Sequence, residues 1–69
     1  MKAISGKQLC KLLVAKGWQL MRINGSHHIY AKSGSNLRIS VPVHGETALK
    51  IGLQKQIMKM ASISDFLLK

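Results

Sequence analysis

The pair Asn24-Gly25 narrows the architecture more than any other feature of the chain. A type I′ turn needs positive φ at both central residues, and Asn followed by Gly supplies them, so two antiparallel strands are predicted to meet here. The first runs from Trp18 to Asn24, without clean alternation because Leu20 and Met21 are adjacent, and the second from about Ser26 to Lys32. Lys32-Ser33-Gly34-Ser35-Asn36 reads as a flexible polar connection into a third strand. There Leu37, Ile39, Val41 and Val43 alternate with Arg38, Ser40, Pro42 and His44, so one face is expected to be buried and the other wet. Pro42 has no N–H to give a ladder and argues for a sheet edge.

A helix is predicted on each side of this meander. Ser5 and Gln8 have the spacing of a capping box, in which the hydroxyl accepts the amide three residues on and the Gln side chain returns to the Ser amide. Leu9, Leu12 and Leu13 follow at helical spacing, widened by Cys10 and Val14, and Gly17 is placed to take the left-handed turn that ends the helix. Trp18 would then fold back onto Leu13, a structural role. After a turn around His44, Gly45 and Glu46, a second helix is read from Leu53, Ile57, Met60 and Ala61, with Met58 beside them and Lys55 and Lys59 outside. Ser62 ends it, and Ser64 is expected to cap a last short turn that returns Phe66 and Leu67 to the core. The order α-β-β-β-α describes an α+β two-layer domain over residues 1–69, with both helices on one face of an antiparallel sheet.

Charge narrows the function. Eleven Lys and Arg stand against two acids, Glu46 and Asp65, for a net charge of +9. Paired-carboxylate hydrolysis, two-metal phosphoryl transfer and calcium binding lack their acids. A domain of this length buries only about 60% of its unfolded surface and has no room for a large substrate cavity. A cationic chain of this kind suits a polyanion, nucleic acid first, or an acidic protein. No run approaches the roughly 20 apolar residues of a membrane span, and Lys11 and Lys16 interrupt what would be the apolar segment of a signal peptide, so a cytoplasmic location is expected. The lone Cys10 lies in the apolar helical stripe and is expected to be a buried, inert thiol.

Histidine is the side chain whose unperturbed titration falls near neutral pH, and the chain has three: His27, His28 and His44. The meander places all three at the hairpin end of the sheet. They are either ordinary surface residues or the acid/base of a metal-free RNA cleavage, in which a neutral imidazole takes the ribose 2′-hydroxyl proton and cations hold the charge on phosphorus. A zinc site is not expected, because adjacent strand residues point to opposite faces. If Ile29 points into the core, His27 does too, and His28, Tyr30 and Lys32 take the open face. Lys7 with Lys11 and Lys55 with Lys59 are like-charge pairs one turn apart, a solvated face or a phosphate-binding one. Tyr30 is available to stack on a base, whereas the core has first claim on Trp18.

Several segments together resemble the HicA family of toxins from bacterial toxin–antitoxin pairs. They are Leu12-Leu13 with Lys16-Gly17-Trp18, Arg22-Ile23-Asn24-Gly25-Ser26-His27-His28-Ile29-Tyr30, Val41-Pro42-Val43-His44, and Lys50-Ile51-Gly52 leading into Gln56-Ile57-Met58-Lys59. The most specific part is Gly-Ser-His-His between a basic strand and a Val-Pro-x-His strand. The resemblance implies a double-stranded-RNA-binding-domain-like fold, ribosome-independent endoribonuclease activity on mRNA, and inhibition by an acidic HicB-like antitoxin. It also implies a strand-two catalytic histidine, His27 after Gly-Ser, with His28 as its alternative. RNA contacts are assigned to Lys7, Lys11, Arg22, Ser26, Tyr30, Lys32, Arg38, Lys55 and Lys59, and no metal or cofactor is expected. Leu53 and Gln54 stand where the family has Thr and Leu, so the Thr cap of the second helix is missing and Gly52 is expected to cap instead. Ser62 replaces a frequent helix-ending Gly. The competing function is a non-catalytic double-stranded-RNA-binding module, and a third reading is an acidic-protein partner with no RNA role.

Overall fold

A computed structural model describes residues 2–63. Its elements are α1 (Gly6–Ala15), β1 (Gln19–Asn24), β2 (His27–Ala31), β3 (Arg38–Pro42) and α2 (Ile51–Met60). The expected order is present, and the three strands form one antiparallel sheet in the order β1-β2-β3, with Pro42 on an edge strand. Both helices bury their apolar residues against one face: Leu9, Cys10, Leu13, Ile57 and Met58 form one cluster with Tyr30, Ile39 and Val41. Among the described residues no helix covers the opposite face of the sheet. No helix among the described residues is long and apolar enough to cross a membrane. Ser64, Phe66 and Leu67, expected to form a last turn, lie outside the described residues.

Helix α1 has the ends its sequence predicts. Gln8 N donates to Ser5 Oγ at 3.2 Å and Ser5 N to Gln8 Oε1 at 3.0 Å, closing the capping box. Gly17 takes φ +93°, Gly17 N donates to Val14 O and Trp18 N to Leu13 O, which is the Schellman pair. Trp18 is buried as a result. Its indole N–H has no partner among the described residues, a cost of about 1–3 kcal/mol that burial of the ring offsets. Val14, expected to widen the buried stripe, is 57% exposed, because α1 presents Leu9, Cys10 and Leu13 to the core and turns Val14 away.

Helix α2 departs further from expectation. Its buried stripe is Gln54, Ile57, Met58 and Ala61, and Leu53 lies at its exposed margin. The buried position goes to an amide because both ends of Gln54 are used: Ile4 N donates to Oε1 at 2.9 Å and Nε2 donates to Lys2 O at 2.7 Å. A fully satisfied buried amide fastens the N-terminal segment where a leucine would leave two backbone groups unpaired. Leu49 N donates to Ile4 O at 2.8 Å on the other side. The cap expected of Gly52 is not found: Lys50 is the N-cap, without a side-chain hydrogen bond, and Gly52 lies inside the helix.

The hairpin closes one residue later than Asn24-Gly25 predicts. Asn24 pairs with His27, leaving Gly25 and Ser26 as the two-residue loop, and only Gly25 has positive φ (+63°), the pattern of a II′ turn with Gly at its first central position. The pairing slips between Leu20 and Arg22, where Met21 is the extra residue of a β-bulge. This explains the broken alternation of β1: Leu20 and Ile23, three apart, both share a face with the core-facing residues of β2. That margin of the sheet extends beyond the helices, and Leu20, Met21 and Ile23 are 46–57% exposed.

Candidate active site

The face on which each β2 side chain lies is settled by its partners. Tyr30 is opposite Ile39 and His28 opposite Val41, and Tyr30, Ile39 and Val41 are all buried in the core. His27, opposite Pro42, and Ile29, opposite Ser40, therefore stand on the open face. This inverts the arrangement that follows from placing Ile29 inside. Tyr30, expected to stack on a base, is 4% exposed and has no ring face to offer. Burying the larger aromatic ring removes more apolar surface from water than burying Ile29 would, and the hydroxyl finds the Cys10 thiol. Burial, and then Cys10, push the Tyr30 hydroxyl far above its ordinary 10.0; burial also raises the Cys10 thiol above 9.0, against a smaller lowering by Tyr30.

His27 is exposed at the first position of the central strand. Its backbone is held between Asn24 of β1 and Pro42 of β3, and Val43 N donates to the Ser26 carbonyl at 2.7 Å, so the turn is tied to both neighbours. The ring reaches diagonally across to β3, where Nδ1 lies 3.1 Å from Ser40 Oγ. Nε2 has no partner among the described residues and is the nitrogen left to meet another molecule. His28 is half-buried on the helix side, and the two imidazoles point to opposite faces. His44, exposed, follows Pro42 by two residues at the same end of the sheet.

The open face also carries cations. Arg22 is opposite Ile29 and Arg38 opposite Ala31, both exposed, one on each edge strand flanking the strand of His27. Asn24 completes the row through His27. Ser26 is half-buried in the turn, and Lys32 is exposed just past the far end of β2. The helix lysines are elsewhere: Lys7, Lys11, Lys55 and Lys59 are exposed on the layer behind the sheet. Lys7 also lies 3.4 Å from Glu46, an exposed pair of little energetic weight. Sequence reasoning thus grouped residues that the fold divides between two faces. It also missed Ser40, whose wet-face position was legible in β3 but whose proximity to His27 depends on register.

The family model described as the HicA toxin of bacterial toxin–antitoxin pairs matches residues 6–63. This chain belongs to the HicA toxin family. The matched span runs from the first residue of α1 to Ile63 and so contains every element of the HicA fold described above. As a HicA family member the protein is a toxin that pairs with an antitoxin. No curated protein matches the chain.

Proposed function

We propose that this HicA toxin is an endoribonuclease that cleaves mRNA without a metal, with His27 as its acid/base residue and His28 outside the chemistry. The observation that carries the reading is an exposed imidazole fixed at the hairpin, on a face that holds two arginines and, among the described residues, no acid. With neutral Nε2 facing out, the ring takes the proton of a ribose 2′-hydroxyl. That oxygen then bonds to the adjacent phosphorus, the P–O5′ bond breaks and the 5′ oxygen leaves with a proton drawn from solvent water. Arg22, opposite Ile29 and the nearer of the two arginines along the strand, holds the phosphate charge as it grows, and Ser26, Lys32 and Arg38, opposite Ala31, extend the contact to neighbouring phosphates. Two acids in the whole chain leave no carboxylate set for a two-metal alternative.

The antitoxin partner is an acidic HicB-type protein that acts in the cytoplasm. A charge of +9 and the exposed apolar margin at Leu20, Met21 and Ile23 support a partner that is acidic and a protein. The second reading, a non-catalytic duplex-RNA-binding module, is favoured by one observation: the lysines of both helices form an exposed basic layer remote from His27. A single variant separates the two. In His27→Ala we expect cleavage of a single-stranded RNA to fall about 10²–10⁴-fold, with growth arrest abolished and the fold retained. Unchanged cleavage, or an active site that follows His28→Ala instead, overturns the assignment.

A further inference from the structure

We propose that Ser40 is the positioning residue for the His27 imidazole, selecting the tautomer that acts as a base. The inference rests on the reading of His27 as the acid/base residue and adds a residue to it. Ser40 Oγ and His27 Nδ1 are 3.1 Å apart, although the residues are 13 positions apart in sequence and not directly paired. Both ends of the bond are fixed by the fold. Ser40 lies between Ile39 and Val41, buried at 1% and 0% exposure, so its backbone cannot shift without disturbing the core. His27 sits in the central strand, paired with Asn24 of β1 and opposite Pro42 of β3, next to a turn anchored by the bond from Val43 N to the Ser26 carbonyl.

The chemistry of a hydroxyl suits this position. When Nδ1–H donates to Ser40 Oγ, the Nε2 lone pair points outward, which is the form that accepts a 2′-hydroxyl proton. Once Nε2 has taken that proton, Nδ1–H still donates to the same oxygen, so the contact survives the step. A carboxylate in this place would orient the ring equally well, but its charge would repel an incoming phosphodiester and oppose Arg22 and Arg38 on the same face. Serine orients without that cost. In the free protein the bond is exposed and competes with water; an RNA strand lying on the face excludes that water and strengthens the bond at the moment it is needed.

The test uses the full chain, with cleavage of a short single-stranded RNA read as kcat and KM, and the 15N shifts of the His27 ring read as tautomer. Ser40→Ala is expected to lower kcat about 3- to 10-fold, the span one neutral hydrogen bond supports, with KM unchanged. In the same variant the His27 ring is expected to change from one dominant tautomer to a mixture. Ser40→Thr, which keeps the hydroxyl on a strand-compatible side chain, restores both. If Ser40→Ala retains the parent ring signature and a kcat within twofold of the parent, the role of Ser40 is overturned while that of His27 stands. If Ser40→Thr behaves like Ser40→Ala, packing rather than the hydroxyl is responsible and the proposal also fails. Full cleavage by His27→Ala overturns instead the reading on which this proposal rests.

Discussion

Tyr30 decides which way the whole of β2 faces, and it also sets a limit on the pH range of the fold. Its ring is buried against Ile39 and its hydroxyl meets Cys10, so the neutral phenol is favoured in the folded chain and its pKa lies well above 10.0. The Cys10 thiol is raised above 9.0 for the same leading reason, burial. In the unfolded chain both groups ionise at their ordinary values, so above pH 9 the unfolded state binds fewer protons than the folded one. Stability then falls as pH rises. We expect thermal unfolding to be insensitive to these two groups from neutral pH to about 9 and to move to lower temperature above it. Tyr30→Phe should flatten that alkaline fall, and a Tm-against-pH series of the two proteins checks it. A Tyr30→Phe protein that declines as steeply as the parent would assign the effect elsewhere.

The two helices end by the same device with different residues. At the end of α1 the left-handed position is Gly17; at the end of α2 it is Ser62, at φ +58°, with Ile63 N donating to Met58 O at 2.8 Å and Ser62 N to Lys59 O at 3.2 Å. A side chain in that region costs about 1–2 kcal/mol, and part of this returns as unfolded-chain entropy when glycine replaces it. Ser62→Gly is therefore expected to stabilise the protein by about 1 kcal/mol, a Tm rise of roughly 4–8 °C for a domain of this size, measured by calorimetry. These ends were legible because capping is local: Ser5, Gln8, Gly17 and Ser62 act within a few residues of chain. The order of elements was legible for the same reason. What escaped the sequence was set by partners distant in the chain. Gln54 is buried because Lys2 and Ile4 need its amide, Met21 bulges because β2 pairs around it, and Ser40 meets His27 only through the register of β3 on β2. The catalytic assignment to His27 came from family resemblance; alternation alone leaned the other way, because hydropathy ranks Ile29 as a better core residue than Tyr30.

At the scale of the molecule the +9 charge is spread over two layers that need not serve one ligand. Arg22 and Arg38 lie on the open sheet face, on the edge strands either side of β2 and opposite Ile29 and Ala31, while Lys55 and Lys59 project from α2 behind it. Each cation that neutralises a phosphate of a single strand contributes about 0.7 to the slope of log K against log salt, because a condensed counterion is released. A cation that only adds to the general field shifts affinity at low salt and contributes less to the slope. If RNA lies on the face that carries His27, Arg22→Ala and Arg38→Ala should each reduce the magnitude of the slope by about 0.7. The double variant Lys55→Ala/Lys59→Ala should change it by less than either arginine alone. Fluorescence-anisotropy titrations of a short single-stranded RNA over a range of salt, made in a His27→Ala background so that the ligand survives, give all four slopes. The reverse ranking would place the RNA on the helices and make the toxin's sheet face the wrong place to look for its chemistry.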